Sequence, residues 1–274
     1  MFDTYRSLFD LEGRGAIVTG GTGIIGTQVC RALAAHGANV AIVDLDATAA
    51  AEAAHGLRDT YGVDATGIAC DVADPDAVAD MVDHAVADIG DVHILHNNAA
   101  SKSDDLDAFF APYEAYSLDE WHKIMRVNVD GMFLVSQAVG RQMIEQGEGG
   151  SIVQTASIYG IRGPDARIYE GSKYLDRQIN TPAVYSTSKG AVIALTRYLA
   201  TTWAEHRIRV NTITPGGVES GQNETFKEKY GRRVPLGRMA RREEIVGAVV
   251  YLASEAASYV TGHNLVVDGG LSAW

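Results

Sequence analysis

The chain has 274 residues, 46% hydrophobic and 21% charged, with 29 Gly and 6 Pro. That is globular usage with a glycine surplus, and it excludes disordered, collagen-like and proline-rich classes. Twenty-three basic residues against 35 acidic ones leave a net charge of −12, which repels nucleic acid and anionic membrane surfaces and points to a small ligand.

In chain order, short apolar runs alternate with longer helical patterns. Strands are expected at Gly15–Thr19, Asn39–Asp44, Asp64–Asp71, Asp91–Asn97, Gly150–Ser157, Ile208–Thr214 and Asn264–Val267, and helices near 26–36, 47–61, 75–89, 117–146, 183–205 and 241–254. The strands are rich in Val, Ile or Ala on both faces, so helices must cover both. Right-handed crossovers then give a Rossmann-type, doubly wound α/β fold: a parallel sheet of about seven strands inside a three-layer α/β/α sandwich, as a single domain over residues 1–274. Segments 101–117 and 161–182 are long, polar and aromatic, and each follows the carboxyl end of a strand, which is the ligand side of an open α/β sheet. They are expected as cleft-side insertions carrying Phe109, Phe110, Tyr113, Tyr116, Arg162, Asp165, Arg167, Tyr169 and Glu170, and residues 217–233 as a mobile lid. Cys30 and Cys70 fit no metal-ligand spacing and sit in apolar runs, so buried free thiols in a reducing, cytoplasmic setting are expected, with no metal. No apolar stretch approaches the ~20 residues that span a bilayer, and no targeting segment is read at the start of the chain.

After the first strand comes Gly20, Gly21, Thr22, Gly23, Ile24, Ile25, Gly26, and then a helix with an apolar face of Val29, Leu33 and Ala34. Glycines there let the backbone turn tightly and approach a pyrophosphate, to which the helix N-terminus offers unpaired N–H groups. Asp44 ends the second strand where a carboxylate would accept hydrogen bonds from an adenosine ribose. A 2′-phosphate would meet that negative charge, and neither Thr22 nor Leu45 supplies a cation, so NAD is favoured over NADP. The plainer role for Asp44 or Asp46 is to cap the helix that follows.

Five further motifs stand apart along the chain: Tyr185-Ser186-Thr187-Ser188-Lys189 opening a helix, NNAA at Asn97–Ala100, Asn128 in VNVDG, Ser157 ending SIVQTAS, and PGGVES at Pro215–Ser220. With Asp71 and Val72 after the third strand and the tail YVTGHNLVVDGG, they resemble the short-chain dehydrogenase/reductase family over nearly the whole chain from Gly13 to Gly270. The resemblance implies hydride transfer between a nicotinamide and a carbinol or carbonyl carbon. Tyr185 would be the general acid/base, Ser157 would bond the reacting oxygen, and Asn128 would carry a water-mediated proton path from Lys189. Cofactor contacts are implied for Gly20, Thr22, Gly23, Ile24, Ile25, Gly26, Asp44, Asp71, Val72, Asn98, Ala99, Ala100, Tyr185, Lys189, Pro215, Gly216, Val218 and Ser220. A phenol titrates near pH 10, so working near neutrality needs a shift of roughly 3 units, about 4 kcal/mol, part of which a Lys189 ammonium one helical turn away would supply.

Tyr169 and Lys173 spell the same Tyr-x-x-x-Lys pattern nearer to Ser157. A polar stretch and Pro182 follow them, whereas Tyr185 opens an uninterrupted helical pattern, so Tyr185 is preferred. The glycines at 20, 23 and 26 are spaced as in the family's extended branch acting on nucleotide sugars, which keeps an epimerase or dehydratase in view; a non-catalytic NAD-binding regulator is the other alternative. The mixed aromatic and charged content of the insertions suits a sugar, sugar acid or polyol, possibly anionic. The helix from Tyr185 to Ala204 is apolar nearly all round, which, with the family's habit, suggests a homotetramer.

Overall fold

The computed structural model describes residues 5–274 apart from Lys102, Asp104, Leu175 and Asp176. Seven strands form one parallel sheet in the spatial order β3-β2-β1-β4-β5-β8-β9: β1 (Gly15–Thr19), β2 (Asn39–Asp44), β3 (Ala65–Ala69), β4 (Val92–Asn97), β5 (Gly150–Thr155), β8 (Ile208–Pro215) and β9 (Asn264–Val267). β6 (Lys173–Tyr174) and β7 (Arg177–Gln178) make a separate antiparallel hairpin. The order reverses between β1 and β4, and that reversal opens a crevice at the carboxyl ends of the strands.

Alternation along each strand builds two cores. Ala16, Val18, Val40 and Ile42 face α1 (Ile24–Ala35), α2 (Ala47–Tyr61) and α9 (Val246–Ala253). Ile17, Ala41, Val43, Leu95 and Ile152 face α3 (Pro75–Ile89), α6 (Met132–Gln146) and the end of α7 (Ala183–Thr202). Each fully buried Ile or Leu contributes roughly 1.5–3 kcal/mol. The remaining helices are a single turn, α4 (Leu106–Phe109), then α5 (Leu118–Met125) and α8 (Glu224–Gly231).

The expected strands and helices are present, with informative differences. β3 stops at Ala69, two residues early, and the Asp71 carboxylate accepts from the Ala73 N–H in a turn. β5 stops at Thr155, and Ser157 opens a 3-10 turn over Ile158–Gly160. The stretch expected as one helix over 117–146 is three pieces, because α5 and α6 are joined by a π turn over Arg126–Gly131. Such turns are rare and tend to occur where a side chain must be re-aimed; Asn128 lies inside this one. The segment expected as a lid contains α8, whose Phe226 and Tyr230 are buried with Ile158, Ile168 and Tyr169 in a third cluster above the carboxyl end of the sheet.

Candidate active site

The groove at the β1–α1 junction is shaped by glycine where nothing else fits. Gly20 has φ +62°, and a Cβ on Gly26 would lie 2.1 Å from the Gly20 carbonyl oxygen, so the loop and the first turn of α1 touch backbone to backbone. Gly23 caps α1 without a side-chain hydrogen bond, which leaves the first N–H groups of the helix for an anion. At the end of β2, the Asp44 carboxylate accepts from Thr22 N (3.0 Å) and Thr22 Oγ1 (2.6 Å), and from Leu45 N (2.8 Å). Helix capping falls instead to Asp46, which accepts from Ala49 N. Asp44 is thus fixed across the groove and free of the capping role.

Thr19, which the motifs did not single out, organises the centre. Its hydroxyl accepts from the N–H groups of Asn98 (2.9 Å) and Ala99 (3.1 Å) and donates to Asn97 Oδ1 (3.2 Å), tying the end of β1 to the loop after β4. Asn98 Nδ2 returns a bond to the Thr19 carbonyl. Val72 is buried against Gly131, while Asp71 is exposed.

A cavity of about 340 Å³ brings Ser157, Tyr185 and Lys189 together with Ile25, Asn98, Ala100, Pro215, Gly216 and Val218. Ser157 ends the extended backbone of β5, and a Cβ on Gly160 would lie 2.7 Å from the Lys189 carbonyl carbon, so this glycine lets the turn lie against α7. Tyr185 and Ser157 line this cavity side by side, and Ser157 acts to favour the charged form of the phenol. The buried Lys189 donates from Nζ to the Thr155 carbonyl (2.9 Å), with Nζ 6.0 Å from the Tyr185 ring centre. Buried Asn128 accepts from Ser101 N (2.8 Å) and donates to Ser188 Oγ (3.3 Å), a residue on α7 next to Lys189.

In the protein alone, burial acts against an acidic phenol. Burial pushes the Tyr185 phenol above its ordinary value, Ser157 opposes that shift, and nearby Tyr169 adds to it. Burial also lowers Lys189 from 10.5 to about 8. Taking both groups out of water penalises phenolate and ammonium alike, so Lys189 does not by itself make Tyr185 acidic in the protein alone.

Tyr169 also lines the cavity, but its apparent partner Lys173 lies on β6, beyond a turn at Gly171 (φ +74°), and is exposed. The pair does not share a helix, whereas Tyr185 and Lys189 do. Of the other residues expected at the cleft, Phe109 and Phe110 pack with Ile124 and Val184, Tyr113 is exposed, and Arg167 pairs with Asp165. Arg162 donates to the carbonyls of Leu271 and Trp274 and so ties down the tail of the chain. Ser220 is exposed, its hydroxyl bonded to Gln222. Among the described residues no cluster of His, Cys, Asp or Glu could hold a metal. Tyr159, Thr181 and Tyr230 line the cavity unforeseen.

The chain matches the family described as short chain dehydrogenase over residues 14–178 and that described as Enoyl-(Acyl carrier protein) reductase over residues 174–272. It is 36% identical to D-arabinitol 2-dehydrogenase [ribulose-forming] of Scheffersomyces stipitis, covering 97% of this chain and 96% of that protein. Galactitol 2-dehydrogenase (L-tagatose-forming) of Cereibacter sphaeroides is 37% identical, with 98% and 99% covered. Among solved structures, a gluconate 5-dehydrogenase from Burkholderia cenocepacia in complex with NADP and tartrate superposes with a TM-score of 0.84 at 35% identity, over 98% of both chains. NAD+-bound xylitol dehydrogenase gives 0.82 at 34% identity, over 95% of this chain and 99% of that one. With this sheet order, this glycine groove and these full-length likenesses, the chain belongs to the short-chain dehydrogenase/reductase family.

Proposed function

We propose that the protein is an NAD-dependent dehydrogenase that oxidises a secondary alcohol of a sugar-like substrate, or reduces the corresponding ketone. The observation that carries this is the convergence of Ser157, Tyr185 and Lys189 in one cavity that is also lined by Ile25, from the first turn of α1. Relatives named for arabinitol, galactitol and gluconate support the substrate class.

The residues fit a dinucleotide. The open N–H groups of α1 suit a pyrophosphate, and Asp44, already aligned by Thr22, suits a ribose diol and opposes a 2′-phosphate. When bound, the oxidised cofactor would supply the hydride acceptor and a positive charge that favours phenolate. Ser157 and Tyr185 hold the substrate oxygen between them. In oxidation Tyr185 takes the hydroxyl proton as general base; in reduction it returns one. Lys189, fixed by the Thr155 carbonyl, orients the nicotinamide ribose and accepts the proton that Tyr185 must pass on. Asn128, held from two sides, anchors the water that carries the proton outward. A pure regulator would have no use for a buried Lys189 at this position. The two buried free cysteines accord with a reducing, cytoplasmic compartment.

Stoichiometric NADH formation from polyols and sugars tests the reading. Wild-type protein should give one NADH per ketone formed, and Tyr185→Phe should give almost none. Normal turnover by Tyr185→Phe with loss in Tyr169→Phe would reassign the acid/base.

A further inference from the structure

The loop that follows β8 is pinned by a side chain of α8. Gly216 N donates to the Val267 carbonyl of β9 (2.9 Å), and the Gly217 carbonyl accepts from Ala240 N (2.8 Å). The N–H of Gly217 finds no backbone acceptor among the described residues and donates instead to the phenol oxygen of Tyr230. The Tyr230 ring lies against the same residue: a Cβ on Gly217 would come within 2.6 Å of ring carbon Cζ, so only glycine fits there. Burial pushes the Tyr230 phenol up to about 12 while the Gly217 bond opposes the shift, so this oxygen stays a neutral acceptor at neutral pH.

Tyr230 is itself held in place. Phe226 stacks on it, with ring centres 5.9 Å apart, and meets Tyr169 of segment 161–182 at 5.5 Å. Lys229 Nζ donates to the carbonyls of Glu170 (2.7 Å) and Arg167 (3.2 Å), and Arg233, just past α8, pairs with Asp165 (2.8 Å). These contacts tie α8 to segment 161–182 and make the Tyr230 oxygen a fixed point for the loop.

Pro215, Gly216, Gly217 and Val218 line the cavity that holds Tyr185. On the dehydrogenase reading, Asp44 and the first turn of α1 serve the adenosine and pyrophosphate of the dinucleotide, so the wall beside Tyr185 serves its nicotinamide end. A wall loop free to shift would have to be ordered by the cofactor, at a cost in affinity. Building on that reading, we propose that Tyr230 is a positioning residue that fixes the loop Pro215–Ser220 for the nicotinamide end of the cofactor, acting through the N–H of Gly217 rather than by contact with the substrate.

Titration calorimetry of the wild type, Tyr230→Phe and Gly217→Ala with NADH, and with ADP-ribose, which lacks the nicotinamide, tests this. Tyr230→Phe keeps the ring and removes the acceptor, whereas Gly217→Ala drives the ring off the loop. Both should weaken NADH binding about tenfold, the size of one lost hydrogen bond, and leave ADP-ribose binding within about twofold of wild type. A general loss of packing would not produce that selectivity, and retained ADP-ribose binding shows that the glycine groove is intact. In turnover, Tyr230→Phe should raise the KM for NAD about tenfold and leave the polyol KM within about threefold. Gly217→Ala carries the test if Tyr230→Phe folds poorly. Unchanged NADH affinity in the folded variants, equal losses for NADH and ADP-ribose, or a rise confined to the polyol KM would each overturn the proposal. Failure of the wild type to bind either NADH or NADPH would overturn the dehydrogenase reading beneath it.

Discussion

Tyr185 and Lys189 share one buried site in which burial drives the phenol up and the amine down. In oxidation the phenol must act as a base, so kcat/KM for the alcohol should rise with pH through the alkaline range. In reduction it must act as an acid, and the same profile should fall. Paired pH–rate profiles check this sign, and Tyr185→Phe should flatten both while lowering kcat by about 10³-fold or more. Lys189 has a linked stability signature. Between about 8, its folded value, and 10.5, its ordinary value, the unfolded chain binds more protons than the folded one, so stability climbs with pH across that window. The full shift is worth on the order of 3 kcal/mol. Urea unfolding at pH 8 and pH 10 should show the climb in wild type and its absence in Lys189→Met. The motif residues were legible because they are side chains in a fixed order. The Thr155 carbonyl that holds Lys189 was not, since any residue type presents a carbonyl, and Arg162 was misplaced because its partners lie at the far end of the chain.

At the scale of elements, two glycines of similar crowding do different work. A Cβ on Gly26 would strike the Gly20 carbonyl, and one on Gly67 would lie 2.3 Å from the Ala50 carbonyl carbon, where α2 crosses β3. Gly26→Ala should raise the KM for NAD at least tenfold, because the loop that approaches the pyrophosphate must move. Gly67→Ala should cost about 1–3 kcal/mol in chemical denaturation, with kcat per folded molecule unchanged, because only packing is disturbed. The strands were readable from the sequence because they are short runs rich in Val, Ile or Ala set between longer stretches with helical spacing. The break in 117–146 was hidden, since a π turn keeps helical composition and adds a residue to the turn without a proline, its one glycine, Gly131, coming at its end. α8 escaped notice because its sequence is polar apart from Phe226 and Tyr230; Phe226 finds its partner across the fold on Tyr169, and Tyr230 stacks on Phe226.

For the whole molecule, the protomer covers most of α7 by itself: Val192, Ile193 and Leu199 are buried, and the exposed apolar surface there reduces to Tyr198, with Phe133 on α6. We propose that these residues face another copy of the chain in a homotetramer. Light scattering at micromolar concentration should give four times 29.3 kDa, and Phe133→Glu with Tyr198→Glu should lower that mass. No helix among the described residues is long and apolar enough to cross a membrane. The account as a whole rests on the Tyr185 phenol exchanging a proton with a substrate whose carbon gives its hydride to the nicotinamide. Single-turnover oxidation of a polyol deuterated at the reacting carbon, in wild type and Tyr185→Phe at matched pH, tests that claim most directly. The account predicts deuterium transferred quantitatively to the nicotinamide by the wild type and a chemical step slowed about 10³-fold or more in the variant. Transfer at an undiminished rate in Tyr185→Phe, or deuterium lost to solvent, would contradict it.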